Sequence, residues 1–278
     1  MDYTKIKFSV LLSIYKNECC DHFIQCIESI MCQTVLPTEI VLIKDGPLTE
    51  ELEKTIKKLQ KKIDILKVYS LEENVGLGLA LQYGVNQCQY EYIARMDTDD
   101  IALKNRFEKQ LTYFQNNPNV GIVGSSVAEF IGDVDNVISY RNLPSSDEEI
   151  KKYARKRNPL NHPTVIFKKE AVLQAGNYRS YYLCEDYDLW TRMIMNGTIF
   201  YNLNEVLVYM RTSKNFYKRR GGRNYSKNIK KLKKELFQKK FYSLSDYIIS
   251  LGSHIIVSHI PNYLRKIIYM KLLRSNAK

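Results

Sequence analysis

The chain has 278 residues, with 42 Lys+Arg against 30 Asp+Glu, 45% hydrophobic and 12% aromatic residues, enough for one full α/β domain with an appendage or for two small domains. That composition excludes a disordered, collagen-like or mucin-like chain. Charge is divided unevenly: residues 1–213 carry 25 basic and 28 acidic side chains and residues 214–278 carry 17 and 2, so the whole positive excess lies in the tail.

In chain order, the apolar run at 8–14 comes first. Asp2 precedes it, no small-residue cleavage site follows, and Lys16-Asn17-Glu18 closes it, so it reads as a strand and not as a signal-peptide core. Further strands are expected at 39–44, 65–70, 92–96 and 120–123. Between them Phe23, Ile24, Ile27, Ile30 and Met31 share one helical face, as do Leu48, Leu52, Ile56, Leu59 and Ile63, and then Leu103, Phe107, Leu111 and Phe114. This alternation predicts an α/β fold, a mixed, mostly parallel sheet flanked by helices. Ligands of such sheets bind outside the carboxyl ends of the strands, here residues 15–18, 45–46, 72–78 and 97–100, all unusually polar places.

From 128 to 211 the pattern turns mixed, with short strands near 164–167 and 206–210 and a strong helix at 185–196. Beyond it, 214–240 is basic and mostly helical, and 243–274 reads as an amphipathic pair of helices broken before Pro261. No run approaches the 18 or more apolar residues of a spanning helix: 247–260 is interrupted by Gly252, Ser253, His254 and His259. Six cysteines without a Cys-x-x-Cys pair or metal-ligand spacing read as reduced thiols of a cytosolic protein.

The string Arg95-Met96-Asp97-Thr98-Asp99-Asp100 sets three carboxylates within four residues behind a buried strand. Like charges this close raise one another's pKa unless a cation sits among them. Hard oxygen ligands in a partly open site suit Mg²⁺ or Mn²⁺, which also hold a diphosphate; a solvated acidic loop capping the next helix is the alternative. Asp45, before Gly46 and Pro47, is either a turn residue or a carboxylate that accepts from a nucleobase N–H. Arg95 and Arg106 either balance diphosphate charge or pair with surface carboxylates. Glu185 and Asp186 open a helix, as complements of its dipole or as a catalytic pair; Trp190, one turn on, fills the core or lines a binding site.

The opening SVLLSIYKNE, then VLIKDG, NVGLGLALQYGV, ARMDTDD followed by Arg106 and Gln110, NHPTVIF and EDYDLW together resemble glycosyltransferase family 2, nucleotide-sugar enzymes of GT-A fold, and within it bacterial capsule, O-antigen and exopolysaccharide synthases. The resemblance covers residues 8–211. It implies a catalytic domain at 1–213, with a donor half at 1–125 and an acceptor half at 126–213, followed by the basic tail. It implies an inverting, metal-dependent transfer from a nucleotide-sugar, a UDP-sugar given Asp45, to a glycan acceptor on polyprenyl diphosphate.

By the same resemblance Asp97 is the ribose-side ligand and Asp99 the metal ligand, for Mn²⁺ or Mg²⁺, with Asp100 leaving the register open by one residue. Tyr15, Asn17, Glu18, Asn74, Gly76 and Arg95 then belong to the donor pocket. Asp186 becomes the general base that takes the acceptor hydroxyl's proton, and Glu185, His162 and Trp190 contact the acceptor. Arg211 either reaches the diphosphate or forms a structural ion pair.

In the tail, Ile229, Leu232, Leu236 and Phe237 fall at helical spacing among lysines, a face for anionic lipid or for solvent. Ile248, Ile249, Ile255, Ile256, Tyr263, Ile267, Ile268 and Leu272 either dip into headgroups or pack on the domain. This suits a cytoplasmic enzyme peripheral on the inner face of the cell membrane. Nucleic acid is disfavoured as a partner, because the tail contains no reading module and the acidic domain repels a phosphate backbone. A sugar nucleotidyltransferase is disfavoured because IYKNE stands where those enzymes carry a Gly-rich basic loop.

Overall fold

The computed structural model describes residues 6–212, 223–259 and 275–276. Strands β1 (Phe8–Ile14), β2 (Glu39–Lys44), β3 (Leu66–Ser70) and β4 (Tyr92–Arg95) run parallel in the order β4-β1-β2-β3. Helices α1 (Cys20–Met31), α2 (Glu50–Gln60) and α3 (Leu77–Gln87) connect them. Strands covered on both faces need apolar side chains at successive positions. Accordingly Val10, Leu12, Ile40 and Leu42 join Phe23, Ile27 and Ile56 in one apolar layer, while Leu11, Val41 and Ile43 join Ala80, Leu81 and Val85 in the other. Helix α3 has no counterpart among the expected elements, because Gly78 and Gly84 dilute its apolar period. Gly84 is what lets it lie on the sheet: a Cβ there would come within 2.4 Å of Leu11 Cδ1.

The second half adds β5 (Ile101–Ala102), α4 (Arg106–Asn116), β6 (Val120–Phe130), β7 (Val137–Arg141), α5 (Asp147–Ala154), a 3₁₀ turn (His162–Thr164), β8 (Ile166–Lys168), α6 (Lys169–Gln174), α7 (Glu185–Met195) and β9 (Ile199–Arg211). β8 lies antiparallel between β4 and β6, β9 runs parallel to β6, and β5 pairs with β9. β7 borders β6, with a short β10 (Ser275–Asn276) outside it.

Two strands are longer than expected. β6 continues past Val123 through Gly124-Ser125-Ser126 because Thr164 Oγ1 accepts from Ser125 N at 2.9 Å and Asn161 Nδ2 donates to Ser125 O at 2.8 Å. β9 begins seven residues before the expected 206 because Asn202 is buried, its amide donating to Pro144 O and Pro159 O. Polar residues that break an apolar pattern are tolerated inside a sheet when their hydrogen bonds are satisfied there.

The tail departs from expectation most. Helix α8 (Arg223–Gln238) buries Ile229, Leu232 and Leu236 against Tyr181, Cys184 and Tyr187 of the domain, so the stripe expected to meet lipid or solvent is covered by protein. Glu235 bonds Arg179 and accepts from Tyr181. Tyr242 meets the Tyr187 hydroxyl at 2.6 Å. The outward apolar face is instead on α9 (Leu244–His259), where Leu244, Ile248 and Ile249 are 62%, 60% and 66% exposed, near Phe237 stacked on Tyr247. Tyr263, Ile267, Ile268 and Leu272, with the second helix expected there, lie outside the described residues, as does the side chain of Ile256. Among the described residues no helix is long and apolar enough to cross a membrane, and none of the six cysteines is in a disulfide.

Candidate active site

β1 is flanked by β2 and β4, so the loops leaving all three strands open on one crevice at their carboxyl ends. From β1 come Tyr15, 41% exposed, the exposed Asn17, and Glu18. From β2 comes Asp45, buried, with Oδ1 accepting from Val75 N at 2.7 Å and Oδ2 from Gly76 N and Asn74 Nδ2, both at 3.1 Å. A carboxylate offers about four lone-pair directions, and these bonds take three. Asp45 therefore shapes the 74–76 loop first, and that loop delivers Gly76, at φ +87°, to the start of α3. Burial raises the pKa of Asp45 while the two amides oppose the rise.

The loop behind β4 is pinned by four hydrogen bonds to three residues, Cys26, Glu18 and Arg211. Cys26 Sγ donates to Asp97 O (3.4 Å) and Thr98 Oγ1 to Glu18 Oε2 (2.6 Å). Arg211 N donates to Asp100 Oδ1 (2.8 Å) and Arg211 Nε to Asp99 O (3.0 Å). Arg211 thus ties the end of β9 to this loop through backbone and carboxylate contacts. Asp100 is buried and paired to backbone, which leaves Asp97, 38% exposed, and Asp99 as the carboxylates on the crevice side. Burial, then the charges of Asp97 and Glu18, push Asp99 up to about 7.

Two arginines correct the reading of the sequence. Arg95, expected among donor-binding residues, is 1% exposed and pairs with Asp97 from beneath. Arg106 is fully buried, donates to Arg95 O at 2.8 Å and to Gln110 Oε1 at 3.2 Å, and burial draws it down to about 9. Neither guanidinium reaches solvent: Arg95 is 1% and Arg106 0% exposed.

Glu185 and Asp186 open α7. Asp186 accepts from Tyr187 N (2.7 Å) and Asn158 Nδ2 (2.5 Å). Burial raises both carboxyls; the charge of Asp186 adds to the rise at Glu185, which reaches about 8, whereas two hydrogen bonds, Arg95 and Arg141 restrain Asp186. The Glu185 carboxyl therefore carries a proton at neutral pH, and the two hydrogen bonds on Asp186 favour its charged form. The helix is anchored by Asp188, buried between Arg179 and Arg192, the latter also bonding Asn177 O at 2.7 Å.

His162 is buried with Nε2 2.9 Å from Tyr178 Oη, and Trp190 is fully buried edge-on to both rings. Trp190, expected to touch the acceptor, is a core residue behind His162. Asn158 and Tyr178 were not singled out by sequence; the polar run Arg157-Asn158-Pro159 before the His162 motif is the one local signal for the first, and Tyr178 has none.

The donor set at the β4 loop fits a divalent cation. Two acids, Asp97 and Glu18, add to burial in driving the Asp99 carboxyl up, against the opposing charge of Arg211. Among the described residues no three His, Cys, Asp or Glu groups converge as a complete ligand cluster. Two protein carboxylates with the remaining positions left to substrate oxygens and water is the pattern Mg²⁺ and Mn²⁺ accept.

Known proteins resemble this chain in sequence and in fold. The family model described as glycosyl transferase family 2 matches residues 9–174. A UDP-Gal:alpha-D-GlcNAc-diphosphoundecaprenol beta-1,3-galactosyltransferase of Escherichia coli is 38% identical over 268 residues, covering 96% of this chain and 97% of its own. The amylovoran biosynthesis glycosyltransferase AmsE of Erwinia amylovora is 40% identical over 221 residues, covering 80% and 82%. Among solved structures, the mannosyltransferase PcManGT of Pyrobaculum calidifontis in complex with GDP-Man and Mn²⁺ superposes with a TM-score of 0.63 at 13% identity, over 93% of this chain and 71% of that one. The last likeness establishes the fold.

Proposed function

This chain belongs to glycosyl transferase family 2 and is a glycosyltransferase of GT-A fold, and from that premise we propose that it moves a sugar, with inversion, from a UDP-sugar to a glycan hydroxyl carried on polyprenyl diphosphate, in bacterial surface polysaccharide synthesis. The observation that carries the reading is the placing of two sets of carboxylates on this fold, Asp97 and Asp99 in the loop behind β4 and the Glu185-Asp186 pair opening α7. The donor and acceptor named for the Escherichia coli relative, nearly equal in length to this chain, support the substrate classes.

In this mechanism Tyr15, Asn17, Glu18, Asn74 and Gly76 receive the nucleotide, Asp45 sets their loop, and Asp97 takes the ribose side. Asp99, with Asp97, would hold Mn²⁺ or Mg²⁺, which supplies positive charge to the departing diphosphate. Asp186 accepts the proton of the acceptor hydroxyl as that oxygen bonds the anomeric carbon. The bond from that carbon to the diphosphate breaks, UDP leaves with its electron pair, and the proton remains on Asp186. Glu185, already protonated, can donate a hydrogen bond to the acceptor, with His162 beside it.

The test is nucleotide release from a panel of UDP-, GDP- and dTDP-sugars with Mn²⁺ and a short-chain N-acetylglucosaminyl diphosphate lipid. Release is expected from a UDP-sugar and only when the lipid acceptor is present. Release from GDP- or dTDP-sugars alone would overturn the nucleotide assignment, and formation of a sugar nucleotide from a sugar phosphate would overturn transfer.

The exposed face of α9 and the lysines of α8 support a peripheral seat on anionic lipid, each cation near the surface adding roughly 1 kcal/mol. The protein is expected to float with phosphatidylglycerol vesicles and not with phosphatidylcholine ones, and Ile248→Asp with Ile249→Asp to abolish flotation without loss of nucleotide release. Retention on DNA in place of vesicles would contradict this seat.

A further inference from the structure

The residues that flank the Glu185-Asp186 pair are covered by the tail. Tyr181 and Cys184 before the pair and Tyr187 after it are buried in one cluster with Ile229, Leu232 and Leu236 of α8. Between Tyr181 and Cys184 lies Leu183 at φ +59°, a left-handed backbone that a residue other than glycine keeps only where its surroundings impose it. Cys184 is the N-cap of α7, so the chain enters the helix directly from this strained residue, and the contacts on either side of it decide where the helix starts.

The polar contacts on that face meet at one side chain of α8. Glu235 Oε1 accepts from the Tyr181 hydroxyl, and Oε2 accepts from Arg179 Nη2 at 3.4 Å. Arg179 also donates through Nε to Asp188 Oδ2 at 3.0 Å, and Asp188 is the buried anchor of α7. The Arg179 guanidinium lies over the Tyr181 ring, 5.3 Å from its centroid. Glu235 is thereby fastened twice, through Tyr181 to the segment entering α7 and through Arg179 and Asp188 to the helix itself. A second fastening stands beside it, where Tyr187 Oη donates to Ala154 O and meets Tyr242 Oη at 2.6 Å. A lone surface ion pair would contribute little, but charge-assisted bonds that share one acceptor group between two partners fix geometry.

We propose that Glu235 is a positioning residue for sugar transfer: it clamps tail helix α8 to the entry and first turn of α7 and so fixes where Glu185 and Asp186 stand for the acceptor. The inference rests on Asp186 as the base. It makes the tail part of the catalytic apparatus as well as the seat of an outward apolar face. None of the contacts of Glu235 touches the loops behind β1, β2 and β4 that form the donor side. Loss of the clamp therefore has a signature that general loosening lacks, a fall in transfer to the acceptor with nucleotide binding unchanged.

The experiment compares wild type, Glu235→Ala and Glu235→Gln in kcat with the lipid acceptor and in the dissociation constant of UDP with Mn²⁺. In Glu235→Ala kcat is expected to fall by about tenfold or more, the scale of loss when reacting groups are displaced by about 1 Å, with UDP binding within about twofold of wild type. Glu235→Gln keeps an oxygen for the Tyr181 hydroxyl and for Arg179, and should recover most of the loss. Amide hydrogen exchange should rise in Glu235→Ala at residues 183–188 and stay unchanged at 97–100. A folded Glu235→Ala enzyme with wild-type kcat overturns the inference, as does UDP binding weakened as far as kcat, or a Glu235→Gln enzyme no faster than Glu235→Ala. If Glu235→Ala does not give wild-type near-UV circular dichroism, Tyr181→Phe, which removes only the hydroxyl, takes its place with the same direction of effect. An active Asp186→Asn enzyme would instead remove the base assignment itself. Inactive Asp186→Asn beside an unimpaired Glu235→Ala would remove only the role of Glu235.

Discussion

Asp186→Asn is expected to lower kcat by a factor of about 100 or more while donor KM stays within about twofold of wild type. The substitution removes the proton acceptor and little else. Asn Oδ1 can still accept from Tyr187 N, and Asn158 can reverse its amide to meet the new NH₂ group, so the start of α7 should keep its shape. Glu185→Gln is the contrast. Its carboxyl, raised to about 8, already carries a proton at neutral pH, so a neutral amide there should reduce kcat less than tenfold. Steady-state kinetics with the lipid-linked acceptor checks both. An inactive Glu185→Gln beside a near-normal Asp186→Asn would exchange the two roles.

Removal of divalent cation is expected to abolish transfer, with Mn²⁺ or Mg²⁺ restoring it, and Asp99→Asn to lose activity on the order of a hundredfold at any metal concentration. Asp99 without a cation is raised to about 7 by burial and by its acidic neighbours, so protons compete with metal below that pH and apparent metal affinity should climb as pH rises through 7. Thermal unfolding gives a readout independent of turnover: Mn²⁺ should raise Tm more at pH 8 than at pH 6, and Asp99→Asn should remove most of that gain. An undiminished rate in excess chelator would contradict the assignment of Asp99.

Much of the site was legible because the chemistry sits where strands end. Three carboxylates behind an apolar run, and a Glu-Asp pair ahead of a helical apolar face, are local patterns that need no knowledge of distant contacts. The length of β6 was not legible, because Gly124-Ser125-Ser126 reads as a loop until Thr164 and Asn161, almost 40 residues on, supply partners for its backbone. Nor was the seat of α8. A stripe of Ile229, Leu232 and Leu236 announces an apolar face but not whether lipid, solvent or protein meets it. The answer came from Tyr181 and Tyr187, with Glu235, one of two acids in the tail, bonded to Arg179.

Sequence by itself determined the parallel strands, the polar crevice at their carboxyl ends and the acids available there, since apolar continuity and residue type are properties of adjacent positions. Tertiary structure alone decided the depth at which each charge lies. Arg95 and Arg106 turned inward, Asp100 closed on the Arg211 backbone, Asp45 bonded the loop beside it and Trp190 went behind His162. The reason is that a charged group's place is set by its partners, and for Asp100 that partner, the Arg211 N–H, stands 111 residues away in the chain and comes within reach only when the end of β9 folds against the loop behind β4.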